Sequence, residues 1–194
     1  MAFTAQTAFE ARITNNEFDN LCNIAGLYVD SNDDAADCDA GRLVKRSALA
    51  PCEGFTGVYN ENTWTMVDAV STDTIDEVIY ACNTYDTKLL GANGKNYFVG
   101  LETLGLGVPA GRYGNFTKIN FDGQSVYRIG AGNLNASLGA NEFLTIDDGE
   151  YAPAASAPAT AGSIYFKVIG TGSFIEGTSA SFTYYDVVAC KVTA

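Results

Sequence analysis

The chain has 194 residues, 47% of them apolar, and a formal charge of −12. That length fits one domain with a sizeable core, and that apolar fraction excludes wholesale disorder. The 11 Lys and Arg are scattered among 23 Asp and Glu and form no basic stripe, which argues against nucleic acid and anionic membrane surfaces as partners.

Twenty glycines with 22 Phe and Tyr point towards strands and turns. The opening MAFTAQTAFEAR has no basic segment followed by an apolar run, so it does not read as a secretory signal. Residues 1–25 read as an N-terminal arm with one or two short helices. Phe9 and Ile13 are four apart, and Thr14-Asn15-Asn16-Glu17 resembles a capping box ahead of Phe18, Leu21 and Cys22.

Residues 26–150 read as a β-rich core. Five aspartates crowd into Asp30–Asp39. Asp30, Asn32 and Asp34 match the first three ligand positions of a calcium loop, but Ala35 replaces the required Gly and Gly41 stands where a bidentate Glu belongs. A solvated acidic loop fits better than a specific cation site, and those three residues are the metal candidates. The cations Arg42, Lys45 and Arg46 follow at once, which suggests local pairing with the aspartates.

Further on, Pro51-Cys52-Glu53-Gly54 reads as a turn, Trp64–Val70 as a strand and Val78–Cys82 as a buried strand, with a helix from Thr74 as the alternative. Asn93-Gly94 marks a hairpin-type turn before Tyr97-Phe98-Val99, and Leu101–Gly114 a loop with a Pro109 turn. The strongest local signal is Asn115–Gly130, where Asp122-Gly123 separates two runs rich in β-branched and aromatic residues. An Asp-Gly loop suits a type I′ hairpin. Phe143–Ile146 is a further strand, closed by Asp147-Asp148-Gly149.

Residues 151–162, with two prolines and six alanines, read as an extended linker. Beyond it, Ser163–Ile169 and Phe182–Val192 are strands completing the same domain, joined by the Gly-rich GTGSFIEGTS. Tyr184 and Tyr185 are adjacent, so one of them faces outwards in a strand. The expected fold is mainly β, an antiparallel sandwich or barrel-like domain.

The chain has no histidine. This removes Ser-His-Asp and Cys-His catalysis and imidazole zinc sites. The paired acids Asp76-Glu77 and Asp147-Asp148 lie beside turns and read as solvated charge. The five cysteines, with no CxxC, read as buried thiols, with a Cys38–Cys52 disulfide as the alternative. No enzyme activity and no cofactor are expected. Apolar residues in the arm and last strand, Phe3, Phe9, Tyr184 and Tyr185, are the candidate contact residues between subunits.

The AGRLVKR segment after an acidic loop, the GVPAGR turn and the terminal SFTYYDVVACKV, in an acidic Ala/Gly/Thr-rich chain, resemble small structural proteins of tailed-bacteriophage virions. Capsid decoration (cement) and head-fibre proteins are the nearest kind. That resemblance implies a virion protein assembled in the host cytoplasm. It would bind the outer face of the major capsid protein lattice, often as trimers with copies of itself. A tail-tube subunit and a carbohydrate-binding β-sandwich are the alternatives.

Overall fold

The computed structural model describes residues 7–13, 23–51, 59–83, 88–90, 96–98, 107–176 and 180–193. These form strands β1 (Phe9–Ile13), β2 (Asn23–Tyr28), β3 (Leu43–Pro51), β4 (Tyr59–Asp68), β5 (Ile79–Cys82), β6 (Lys88–Leu90) and β7 (Asn96–Phe98). There follow β8 (Tyr113–Lys118), β9 (Val126–Gly130), a 3-10 turn (Ala131–Asn133), β10 (Phe143–Asp147), β11 (Glu150–Ala154), β12 (Ile164–Glu176) and β13 (Ala180–Lys191).

The protein is mainly β, in two principal layers. One is a closed barrel in the order β2-β4-β3-β5-β8, in which β2–β4 is the parallel pair. The other is an antiparallel six-stranded sheet, β1-β9-β13-β12-β10-β11. The short β6–β7 pair forms a two-stranded sheet of its own, with Asn93-Gly94 inside the five residues between Leu90 and Asn96.

β5 shows why the two layers form one body. All four residues of Ile79–Cys82 are buried. Tyr80 and Cys82 enter the barrel interior beside Val44, Met66 and Phe116. Ile79 and Ala81 face the other way, into a core shared with Phe9, Tyr127, Leu144, Phe166 and Val187 of the sheet. A strand buried on both faces reads as an unbroken apolar run, which is what residues 78–82 are.

The expected N-terminal helices are corrected over the described part: Phe9–Ile13 is a strand, paired antiparallel to β9. A spacing of four is also a multiple of two, so Phe9 and Ile13 fit either period. Tertiary pairing decides. Residues 14–22 lie outside the described residues. Asn133 secures the strand's entry, because its Oδ1 accepts from Ala8 N (3.0 Å) and Gly130 N (2.9 Å) and its Nδ2 donates to Ala40 O (2.5 Å).

The Asp122-Gly123 hairpin is a second correction. β8 pairs with β2 and β5 in the barrel, whereas β9 pairs with β1 and β13 in the sheet. The turn therefore joins the two layers. Gly123 has φ 74°, but Asp122 is not left-handed. Its carboxylate instead accepts from Gln124 N, Ser125 N and Ser125 Oγ at 2.7–2.9 Å. Burial works against the Asp122 charge, and these bonds outweigh it, holding the carboxyl below its usual pKa.

The type I′ geometry belongs to the other Asp-Gly pair. β10 and β11 are joined by Asp148 (φ 44°) and Gly149 (φ 78°), with Asp147 opposite Glu150. Residues 150–154, the start of the Ala/Pro-rich stretch, are thus the edge strand of the sheet, with Tyr151 fully buried. Pro153 is tolerated because an edge strand has a side with no ladder bond to make. The Gly-rich 170–176 likewise belongs to β12, which runs on to Glu176 opposite Ala180.

Tyr151 Oη is buried without a hydrogen-bond partner among the described residues. Burial raises its pKa, so it stays a neutral phenol. Tyr151→Phe removes an unsatisfied group and leaves the ring against Phe166, 5.0 Å between centroids. We expect urea denaturation to show unchanged stability or a gain of about 1 kcal/mol. A loss of that size would mean that the hydroxyl is bonded.

Candidate interaction surface

Charge pairing comes first, because it decides which surfaces are neutral. Arg42 does not pair with the acidic loop. Its guanidinium makes a two-pronged bond to Asp68, with Nε and Nη2 each 2.6 Å from a carboxylate oxygen. Tyr28 Oη donates to the same carboxylate at 2.9 Å, and Arg42 Nη2 also donates to Asp148 O. Burial works against the arginine charge, and hydrogen bonding to Asp68 outweighs it, holding the pKa above its usual value. Burial likewise raises the Tyr28 phenol. Lys45 pairs with the buried Asp73 at 2.6 Å, and Arg46 lies over Trp64, 4.8 Å from the ring centroid. The expected local pairing is therefore corrected: the partners are 26 and 28 residues downstream.

Two of the five loop aspartates, Asp30 and Asp37, serve the backbone. Asp30 Oδ1 accepts from Asn32 N (2.8 Å) and Asp34 N (3.1 Å), which lowers its pKa. Asp37 Oδ1 accepts from Ala110 N at 2.7 Å. Among the described residues no three His, Cys, Asp or Glu are grouped so as to hold a metal ion. An open cleft of about 560 Å³ lies beside the loop, lined by Tyr28, Asp30, Asp33, Arg42, Asp68 and Asp148 among others. Its one cation is already committed to Asp68. We expect calcium to shift the melting temperature no more than sodium chloride of equal ionic strength. A calcium-specific rise lost on Asp30→Asn would overturn that.

Cys38 is a free, fully buried thiol packed with Cys82 in the barrel, and burial raises its pKa. The expected alternative of a Cys38–Cys52 disulfide is therefore not formed, and Cys52 lies outside the described residues. Of the aromatic residues that a carbohydrate-binding module would use for stacking, Trp64 has one face taken by Arg46.

The four candidate contact residues separate. Phe3 lies outside the described residues. Phe9 is core, 8% exposed and stacked on Tyr127 at 5.7 Å. It is not available for a neighbour, and removing residues 2–13 would strip a strand from the sheet. Tyr185 packs against the shared core. Tyr184 is the outward member of the pair. It lies across Gly172, its register partner, where even a β-carbon would collide with the ring, and Arg128 covers it at 3.8 Å.

Arg128 and Asp186 are also cross-strand partners, joined by two bonds of 2.8 and 2.9 Å. The outer face of the sheet is thereby neutral at its centre. Around this pair stand half-buried Val126 and Val188, the ring pair Phe143–Tyr165 (6.1 Å) and Ile169, which is 54% exposed. Ile169 is the extra residue of a bulge between Val168 and Gly170. Sequence reasoning missed Phe143, Tyr165 and Ile169, because in 143–146 and 163–169 apolar residues fall on both faces of the strand. Lys167 was the available signal: it marks an outward position, and 165 and 169 share its parity.

No family model, curated protein or solved structure matches this chain.

Proposed function

We propose that this protein is a non-enzymatic structural subunit of a virus particle, of the capsid decoration or head-fibre kind. It would bind the outer surface of the major capsid protein lattice and stabilise it. The observation that carries this reading is the outer face of the six-stranded sheet. A self-neutralised Arg128–Asp186 pair sits there among exposed or half-buried Ile169, Tyr184, Tyr165 and Phe143. On a chain of charge −12, a mostly apolar face around a paired Arg128 and Asp186, with Lys167 exposed beside them, is suited to protein contact. The resemblance of AGRLVKR, GVPAGR and SFTYYDVVACKV to phage structural proteins supplies the kind of partner.

The test is co-expression with the major capsid protein encoded in the same genome, followed by sedimentation through sucrose. The protein should travel with the particles and raise their disruption temperature. Tyr165→Asp should abolish the association without changing the fold. Free protein at the top of the gradient, or selective binding on a glycan array, would sink the reading.

A further inference from the structure

β12 and β13 are 13 and 12 residues long, more than twice the length of β9 and β10, which flank them. β10 pairs with β12 only at Lys167 and Phe166, and β9 pairs with β13 only from Tyr184 to Val188. Among the described residues, β12 has no partner but β13 from Thr171 to Glu176, and from Ser173–Thr183 to Glu176–Ala180 the two strands pair with each other alone. The hairpin therefore runs past the sheet as a two-stranded ribbon about 13 Å long, and the open edge of β12 from Thr171 to Glu176 is about 20 Å long at the usual rise per residue. The bulge at Ile169 lies where the ribbon leaves, and a bulge adds local twist there.

Three observations say what meets this ribbon. A lone two-stranded ribbon is marginal in water, so it gains from a further strand. Beyond the Ile169 bulge, its β12 side is an edge with no partner among the described residues and with neither proline nor a basic residue on it. The chain blunts the sheet edge at β11 with Pro153, yet has no proline, lysine or arginine between Lys167 and Lys191. Finally, Glu176 is the one charged residue from Val168 to Tyr185, in a chain carrying 34. Two copies at −12 each repel one another over most of their surface, and here they do not.

We propose that β12 of the ribbon pairs edge to edge with β12 of a second copy, antiparallel about a two-fold axis. The same residues then serve both sides of the contact, and the two ribbons become one four-stranded sheet. The product is a dimer, not the trimer that the family resemblance implies. The proposal deepens the assembly reading above by naming one partner, and it stands or falls separately from capsid binding.

The experiment is sedimentation velocity on the full chain over a range of concentrations. The wild type should pass from monomer to dimer. Thr171→Lys and Ser173→Lys, both at exposed positions, should raise the dissociation constant more than tenfold with an unchanged circular dichroism spectrum. Thr160→Lys, an exposed change of equal charge away from the ribbon, should leave it unaltered. Hydrogen exchange over 169–176 should slow as concentration rises. A wild type that is monomeric throughout, a trimer, or a dimer indifferent to the ribbon lysines would each overturn the proposal. A monomer that still sediments with capsids would overturn it and leave the functional reading standing. A ribbon dimer that ignores capsids would do the reverse.

Discussion

Gly149→Ala should destabilise the protein by about 2–4 kcal/mol, while Gly123→Ala should cost about 1 kcal/mol. Both glycines are left-handed, with φ of 78° and 74°. An L side chain at either position meets the same backbone penalty, and the surroundings make the difference. A β-carbon on Gly123 finds open space. One on Gly149 would stand 2.5 Å from Asp68 Oδ1 and 3.0 Å from Arg42 Nε. Gly149 cannot easily move away, since its N–H donates to Ala69 O and its carbonyl accepts from Leu43 N, both at 2.8 Å. The substitution therefore strains the turn and disturbs a two-pronged ion pair whose side chains are only 21% and 25% exposed. Urea denaturation of the two variants measures the contrast. Equal small losses would show that the Arg42–Asp68 pair shifts at little cost.

Phe166→Ala should cost about 3–5 kcal/mol, by loss of transfer free energy and by the cavity left behind. Phe166 is fully buried. Its ring lies 5.4 Å from Phe121 on the connection between the layers and 5.0 Å from Tyr151 on the edge strand. The same core contains Leu43, Ile79 and Ala81 from the barrel. A cavity there should weaken both layers together. The variant should melt in one transition, followed alike by tryptophan fluorescence, which reports Trp64 in the barrel, and by far-ultraviolet dichroism. A second transition, with the barrel surviving, would show that the layers fold independently.

Local chemistry was legible where it was strong. The mainly β fold, the doubly buried run at 79–82 and the last two strands follow from period and composition. The Asp-Gly reading failed instructively. Turn chemistry allows a type I′ hairpin at both 122–123 and 148–149, and the choice depends on which flanking runs pair. Pairing 115–121 with 124–130 mixes polar and apolar residues on both faces. Across Asp148-Gly149 the observed register sets buried Ile146 opposite buried Tyr151. The alanines and prolines beyond Tyr151 disguised that strand as a linker. The glycines of 170–172 similarly disguised β12, because a cross-strand ring, Tyr184, covers what a local reading takes for a gap. Arg42–Asp68 and Lys45–Asp73 depend on how β3 meets the segments after it, and spacing along a chain does not reveal that. The outer face of the sheet was hidden for a related reason: an apolar residue looks the same in a sequence whether it faces the core or a partner.

β1 belongs to the six-stranded sheet, yet β9, the strand it pairs with there, follows all five barrel strands in the chain. Phe9 faces Ile129, 120 residues later. At about 5–20 residues per second, the ribosome makes that partner on the order of ten seconds after Phe9. Through that interval the N-terminal strand has neither its ladder nor the Tyr127 ring on which Phe9 stacks, while the barrel strands between them are being completed. Completing the sheet therefore needs the return of its first strand across the finished barrel strands to β9, in addition to β10–β13, which are made later still. The newly made protein spends those seconds with an unpaired strand, which makes it more prone to aggregate during synthesis than after release.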